Sequence, residues 1–497
     1  MEISNGGSDW SSRQVMFDDC LTLVFNEMSP KDLFRLERVS KQFSQCLEDS
    51  LKPRKCFSVL KSEKNLRQLG NFWCYERHGP KVNDYFLNDL KPSVTQIRKI
   101  FLFNERMDVL KSISTKCPSI ESLTLKECYL NEIVIRFFNE NLKRLKCLSL
   151  QCCHIPFQQL VSSEQTKVLS KKVIHLSLFC VYDSVDDRRL EDEKHLNLIR
   201  LFPNVVKLRV DFTKALSFEK MFERLTPSLV YILMDSYLTP APQPIPNTIF
   251  ENKNILQLRT LHMIRYIAPK ETIERIITSM NLKVFSFCCH QLSSTLIEKV
   301  ARYQTELKDL DITNSIFTEF ENFKRNMIFK KVVYLELNSP QLNSIYFGKV
   351  IDMFPNTKRL IFCPWFGIEC IKDKEQSICK TCFYRTFELI PRLKSVDSFQ
   401  TTFNSIGRQL IECLDRLSEL SFLKISCFHG HPNYTTHIPG DSYNKGVLKD
   451  LINYLFRRCE EKPQKLFKFR LDCSRISLPQ DFKRPRNLKI LKPFDRK

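Results

Sequence analysis

Asp309 and Asp311 stand two residues apart, and Tyr334 and Glu336 repeat that relation 25 residues later. If the two pairs lie on neighbouring strands, alternation turns all four side chains to one side, with Asp309 beside Tyr334 and Asp311 beside Glu336. Three carboxylates so placed repel one another unless something cationic joins them. The chemistry expected of them is reception of a Lys or Arg side chain from a bound protein, with the Tyr334 ring offering its face to the charge. A solvated acidic patch neutralised by nearby lysines is the plainer account of the same residues.

Cysteine supplies a second candidate. Cys379-Lys-Thr-Cys382 is a C-x-x-C, and with Cys363 and Cys370 upstream it has the four thiolates a zinc ion needs. The spacings are irregular and Cys363 already occupies a repeat position, which favours ordinary reduced thiols and no metal. His429, His431 and His437 lack the i, i+4 spacing of a helical metal pair and read as a polar loop. There is no H-E-x-x-H, G-x-S-x-G, G-x-G-x-x-G or G-x-x-x-x-G-K-[ST], and 10 glycines leave no phosphate-cradling loop. Hydrolase and nucleotide chemistry thus have no support, no catalytic residue is assigned, and no cofactor is expected.

The elements that must position the acidic residues are read from a period. Fifteen times the chain writes apolar-x-x-apolar-x-apolar, starting at Ile97, Ile120, Leu145, Val173, Val205, Leu229, Leu258, Leu282, Leu307, Val332, Thr357, Leu393, Leu420, Leu466 and Leu488. Most intervals are 23 to 29 residues, and from Leu282 to Thr357 each is 25. Such a period predicts a solenoid. Ile120-x-x-Leu123-x-Leu125-x-x-Cys128-x-Leu130 and Leu145-x-x-Leu148-x-Leu150-x-x-Cys153-x-Ile155 match the leucine-rich-repeat consensus, including its Asn-or-Cys position. Pro118, Pro203, Pro227, Pro355 and Pro391 each stand two residues before a repeat, where proline ends a helix and favours an extended neighbour. The longer intervals before Leu393 and Leu466 read as loop insertions. Between strands, Pro269 opens a segment with Ile273, Ile276, Ile277 and Met280 on one helical face, and Phe347, Val350, Ile351 and Phe354 repeat that spacing. Each repeat is therefore a strand plus a helix that buries its apolar face only by stacking on the next. Thr239 to Pro246 is a polyproline stretch read as a stiff connector.

At 43% hydrophobic and 27% charged the composition is that of a globular chain. No apolar run is long enough to span a bilayer and the first residues have no signal-peptide character, so an intracellular location, cytoplasmic or nuclear, and no membrane are expected. The 20 cysteines are scattered, several at buried repeat positions, and read as reduced. A net charge of +21 raises nucleic acid as a partner. The third, fifth and seventh positions of the repeats argue against it: Lys99, Lys126, Lys207, Arg209, Arg359, Lys424, Lys468 and Arg470 face Asp211, Asp235, Asp309, Asp311, Glu336, Asp397 and Asp472. That is no single-sign stripe for a phosphate backbone.

Ahead of the repeats, Leu21, Val24, Phe25 and Met28 form one helical face. Ser29-Pro30, with Asp32 in the first turn, caps a second helix bearing Leu33 and Leu36, and Val39 and Phe43 continue into a third. Three short helices can hardly enclose a core, so part of this surface must dock elsewhere. The segment resembles an F-box, a likeness carried by Asp19, Leu21, Val24-Phe25, Met28, Asp32-Leu33 and Val39-Ser40-Lys41; Met16-Phe17 replaces the usual Leu-Pro, and Phe43 the usual tryptophan. With the repeats that follow, the chain is similar to the F-box and leucine-rich-repeat proteins. The resemblance implies a non-catalytic substrate receptor of a cullin-based ubiquitin ligase. Met16, Phe17, Leu21, Val24, Phe25, Met28, Leu33, Leu36, Val39 and Phe43 would bind a Skp-family adaptor, the adaptor a cullin scaffold, and the repeats a protein substrate. An adaptor-independent repeat scaffold whose head only caps the first repeat is the alternative, and a nucleic-acid binder a more distant one.

The expected organisation is α/β: a disordered 1–12, an F-box at 13–56, a helical linker or cap at 57–92, and at 93–497 one curved solenoid of about 15 repeats, parallel strands inside and helices outside.

Overall fold

The computed structural model describes residues 56–60, 72–76, 98–103, 115, 118–130, 140–155, 157, 171–183, 191–212, 228–236, 257–289, 292–313, 317–318, 328–338, 344–362, 386–402, 408–426, 441–472 and 485–491. They fall into two compact units, Met1–Asp211 and Phe212–Lys497, a division inside the span expected as one solenoid. The F-box segment, the four clustered cysteines, the three histidines and the polyproline stretch lie outside the described residues.

In the first unit, strands β1 (Cys56–Leu60), β2 (Phe72–Glu76), β3 (Lys99–Phe103), β4 (Ser122–Lys126), β5 (Cys147–Gln151), β7 (His175–Phe179) and β9 (Lys207–Phe212) are joined by short β6 (His154–Ile155) and β8 (Tyr182–Asp183). The long strands pair in parallel in the order β2-β1-β3-β4-β5-β7-β9. Two strands thus stand in the segment 57–92 where a helical linker was expected. Cys-Phe-Ser-Val-Leu and Phe-Trp-Cys-Tyr-Glu are short and rich in aromatic and β-branched residues, which suits a pleated strand better than a helix. Register aligns Leu123, Leu148, Leu176 and Leu208 in one row and Leu125, Leu150, Leu178 and Val210 in the next, all buried.

The strands end alike. Glu127, Cys152 and Cys180, each at the eighth position of its repeat, take left-handed backbone angles of φ 55°, 51° and 49°. Their N–H groups donate to the Gln151 carbonyl, the Phe179 carbonyl and Asp211 Oδ2 at 2.8, 2.8 and 2.7 Å. Buried thiols follow: Cys153 Sγ donates to the Leu125 carbonyl of the preceding repeat at 3.2 Å, and Cys128 Sγ to the Lys126 carbonyl at 3.4 Å. This is why the Asn-or-Cys position is met by cysteine, a small group that fills the core and still satisfies a carbonyl. Neither is in a disulfide. The left-handed step carries the chain into a second ladder, β6 with β8, where Tyr129, His154 and Tyr182 stack with ring centroids 4.2 and 5.0 Å apart. Helix α1 (Asp192–Arg200) buries Leu196, Leu198 and Ile199.

The second unit holds β10 (Tyr231–Ser236), β11 (Thr260–Ala268), β12 (Val284–Cys289), β13 (Leu292–Ser293), β14 (Asp309–Thr313), β15 (Phe317–Thr318), β16 (Tyr334–Asn338), β17 (Arg359–Phe362), β18 (Ser398–Thr402), β19 (Phe422–Ser426), β20 (Phe467–Asp472) and β21 (Leu488–Leu491). Its long strands pair in parallel in chain order, while β13 pairs with β15 apart from them. Helices α2 (Lys270–Ser279), α3 (Ser294–Tyr303), α4 (Ser344–Asp352), α5 (Arg408–Arg416) and α6 (Asp441–Glu461) run between them. The expected apolar faces are buried: Ile273, Ile276, Ile277 and Met280 at α2, and Phe347, Val350, Ile351 and Phe354 at α4. Strand, helix and parallel return recur in this unit, so its fold is an α/β solenoid.

Buried polar side chains close the helix ends. Gln304, 2% exposed, donates to the Ile277 and Met280 carbonyls at 2.5 and 2.6 Å and accepts from the Leu282 N–H at 2.8 Å. From α6, Arg458 donates to the Leu417 and Ser418 carbonyls at 2.6 and 2.8 Å, placing a cation just beyond the carboxyl end of α5.

Three expectations are corrected. The repeat assigned to Leu393 begins at Val396, because Arg359 pairs with Ser398 and Leu360 with Phe399. Leu393 and Val396 are both buried and three apart, so the pattern alone fits either. One consequence is that Asp397 leaves the third-and-fifth-position face, which Ser398 and Gln400 occupy. At the end, Leu488 pairs with Phe467 and Ile490 with Phe469, one residue off the expected register, which puts Lys489 beside Lys468. The insertion before Leu466 is not only loop, since it contains the 21-residue α6. Among the described residues no helix is long and apolar enough to cross a membrane.

Candidate functional site

The expected acidic group assembles as its spacing implied. Strands β14 and β16 pair so that Asp309 faces Tyr334 and Asp311 faces Glu336. Their alternate neighbours Leu310, Ile312, Leu335 and Leu337 are buried, which turns the four polar residues to the open face of the sheet. The Tyr334 hydroxyl donates to Glu336 Oε2 at 2.7 Å, and the Ser286 hydroxyl on β12 donates to Asp311 Oδ2 at 2.5 Å.

Half-burial and proximity make the group reluctant to carry full charge. Burial, then the Asp311 carboxylate, push Glu336 up to about 7, against the Tyr334 hydrogen bond and Lys424, which pull it down. Burial also raises Asp309, opposed by Arg359 and Lys308. The Tyr334 phenol is raised by burial first and then by Glu336, so it remains a donor at neutral pH. Chemically, these residues can hold a cation or a hydrogen-bond donor. They have no nucleophile and base arranged for a reaction.

Ser286, Arg359 and Lys424 were not singled out as members of this group. Ser286 could have been found by counting back 25 residues from Asp311. Arg359 lies on β17 beside Tyr334 and was legible as a third-position residue. Lys424 acts on Glu336 through its charge alone, from β19, two strands beyond β17, an influence that spacing alone does not reveal. In the first unit the open face carries another unforeseen pair, Cys147 Sγ and His175 Nδ1 at 3.2 Å on neighbouring strands. Burial raises that thiol despite Lys99 and Lys207, so it is not poised as a nucleophile. Among the described residues no three His, Cys, Asp or Glu side chains gather to hold a metal ion.

Residues 15–55 match the family model of the F-box domain. The chain thus carries an F-box match ahead of its repeats. All ten adaptor-facing residues expected from the sequence, Met16 to Phe43, fall within that match. Solved structures to which the chain is similar include the following three. These are an internalin of Listeria monocytogenes (13% identity, 69% of this chain and 88% of that one covered, TM-score 0.33), the leucine-rich repeat-containing protein LegL7 of Legionella pneumophila (10%, 76% and 95%, 0.29) and a leucine-rich-repeat protein of Leptospira interrogans (13%, 74% and 75%, 0.29). No curated protein sequence matches it.

Proposed function

We propose that this chain is the substrate-recognition subunit of a cullin-based ubiquitin ligase. The observation that carries the reading is the F-box match at residues 15–55 ahead of a long parallel repeat sheet, a combination suited to an interaction adaptor. On this reading Leu21, Val24, Phe25, Leu33 and their neighbours dock on a Skp-family adaptor, which holds the cullin scaffold. The open face of the repeats holds the protein substrate, with Asp309, Asp311, Glu336 and Tyr334 receiving a Lys or Arg of that substrate. The chain itself supplies no catalytic group; it acts by proximity, converting an encounter between substrate lysine and conjugating enzyme into a held arrangement.

Leu33→Asp, alone or with Leu21→Asp, tests the reading. A carboxylate buried without a partner against an apolar groove costs several kcal/mol. The expected result is loss of adaptor capture in a quantitative pull-down, with the circular dichroism of the repeats unchanged. Undiminished capture would overturn the F-box docking and leave an adaptor-independent scaffold. For the acidic group, Asp309, Asp311 and Glu336 changed together to lysine should alter the set of captured substrates while the adaptor still binds; an unaltered set removes its recognition role.

A further inference from the structure

The corrected registers sort the charges of the second unit by place. Toward its carboxyl end the third and fifth positions hold Phe422 and Lys424 on β19, Lys468 and Arg470 on β20, and Lys489 on β21. Lys424 stands directly beside Arg470, and Lys468 directly beside Lys489. Two like-charged pairs on three successive strands, about 4.8 Å apart, are unfavourable in isolation. The alternation of the strands places them on the open face: Phe469 and Leu471 are buried while Lys468 and Lys489 are exposed. An anion laid across the face would offset that repulsion.

The chemistry of the cations narrows the anion. Three of the four are lysines, compact point charges without the planar fork that grips a single phosphate in two bonds. Spread over neighbouring strands, they suit several separate carboxylates better than one concentrated dianion. A nucleic-acid backbone is disfavoured by position. The acidic group on β14 and β16 lies only three strand steps from β19, roughly 14 Å, so a continuous polyanion crossing the face would run onto carboxylates.

We propose that the open face from β14 to β21 binds an extended segment of a partner protein, a run of Asp and Glu resting on Lys424, Lys468, Arg470 and Lys489 and a Lys or Arg of the same segment reaching Asp309, Asp311 and Glu336. Between the two groups the face is formed by Ile361, Ser398 and Gln400, with Arg359 at the acidic border. At about 3.3 Å per extended residue, the opposite charges of the ligand stand roughly four to seven residues apart. The proposal rests on the reading of the repeats as a substrate receptor and names the class of segment received.

The test uses the full chain and a synthetic peptide library of fixed composition in which the order of Lys, Glu and neutral residues is permuted. Expected is at least tenfold enrichment of peptides whose glutamates are grouped and stand four to seven residues from a lysine, over isomers with mixed charges. Lys468→Glu with Lys489→Glu, both at exposed positions, should abolish the preference for grouped glutamate and leave the circular dichroism unchanged. Enrichment indifferent to charge order, no enrichment at all, or an unaffected preference in the double variant would overturn the proposal. So would tighter binding of a single-stranded oligonucleotide, or of a phosphopeptide lacking carboxylates, than of the enriched peptides. Adaptor capture is measured on the same samples: its loss in the unmodified chain would undo the ligase reading, whereas a failure of peptide selection alone would undo only this one.

Discussion

Glu336 illustrates how a single side chain can be held against its own preference. Its carboxyl sits at about 7 in the folded chain, above the ordinary 4.5, because burial and Asp311 both disfavour the charge. Between those two values the folded state keeps a proton that the unfolded chain has released. The stability this group contributes is therefore complete below about 4.5 and is lost as pH rises through about 7. Glu336→Gln is expected to gain roughly 1–3 kcal/mol over the unmodified chain near pH 8 and almost nothing near pH 4, read from urea melts. A gain of equal size at both values would mean that packing, not ionisation, is responsible. Gln304 is the opposite case, a buried polar group fully employed. Gln304→Ala strands two helix-end carbonyls and one N–H, and is expected to cost about 2–4 kcal/mol in the same measurement.

Among the elements, α6 makes the clearest forecast. Arg458 is nearly buried on it and reaches two carbonyls beyond α5, so Arg458→Met should keep the packing of its stem while removing two charge-assisted hydrogen bonds, leaving the Leu417 carbonyl with the Leu420 N–H and the Ser418 carbonyl with the Lys462 ammonium. A loss of about 2 kcal/mol in thermal or denaturant unfolding is expected. The sequence made strands and helices legible where repeats keep strict length: α2, α4 and the pairing of β14 with β16 were all readable from apolar spacing. It was less legible where two apolar residues three apart compete for one role, as Leu393 and Val396 do, since both end up buried and only strand pairing separates them. In the same way α6 was hidden because its 21 residues lie beside a histidine-containing stretch that reads as loop. At the acidic group the four residues could be read in advance, but the Ser286 and Tyr334 hydrogen bonds and the electrostatic influence of Lys424 depend on three-dimensional placement that a period does not encode.

At the scale of the molecule, a net charge of +21 first suggests a polyanion, yet on one face of the second unit three carboxylates gather at β14 and β16, bordered by Arg359, while four cations gather from β19 to β21, and position is more informative than the total. The equal steps from Leu282 to Leu307 to Val332, with register kept through β12, β14 and β16, have a consequence for how such a chain can be edited. Removing residues 307–331 joins Glu306 to Val332 and sets Tyr334 beside Val284 and Glu336 beside Ser286, with the main-sheet positions still in phase and only the short β13 losing its partner β15. The shortened protein is expected to fold, keeping its circular dichroism shape and one sharp thermal transition, while both aspartates of the acidic group are gone. In genetic terms this repeat is a cassette: a single in-frame excision or duplication, the commonest accident of a repetitive coding sequence, would rewrite what the face recognises without rebuilding the fold that carries it.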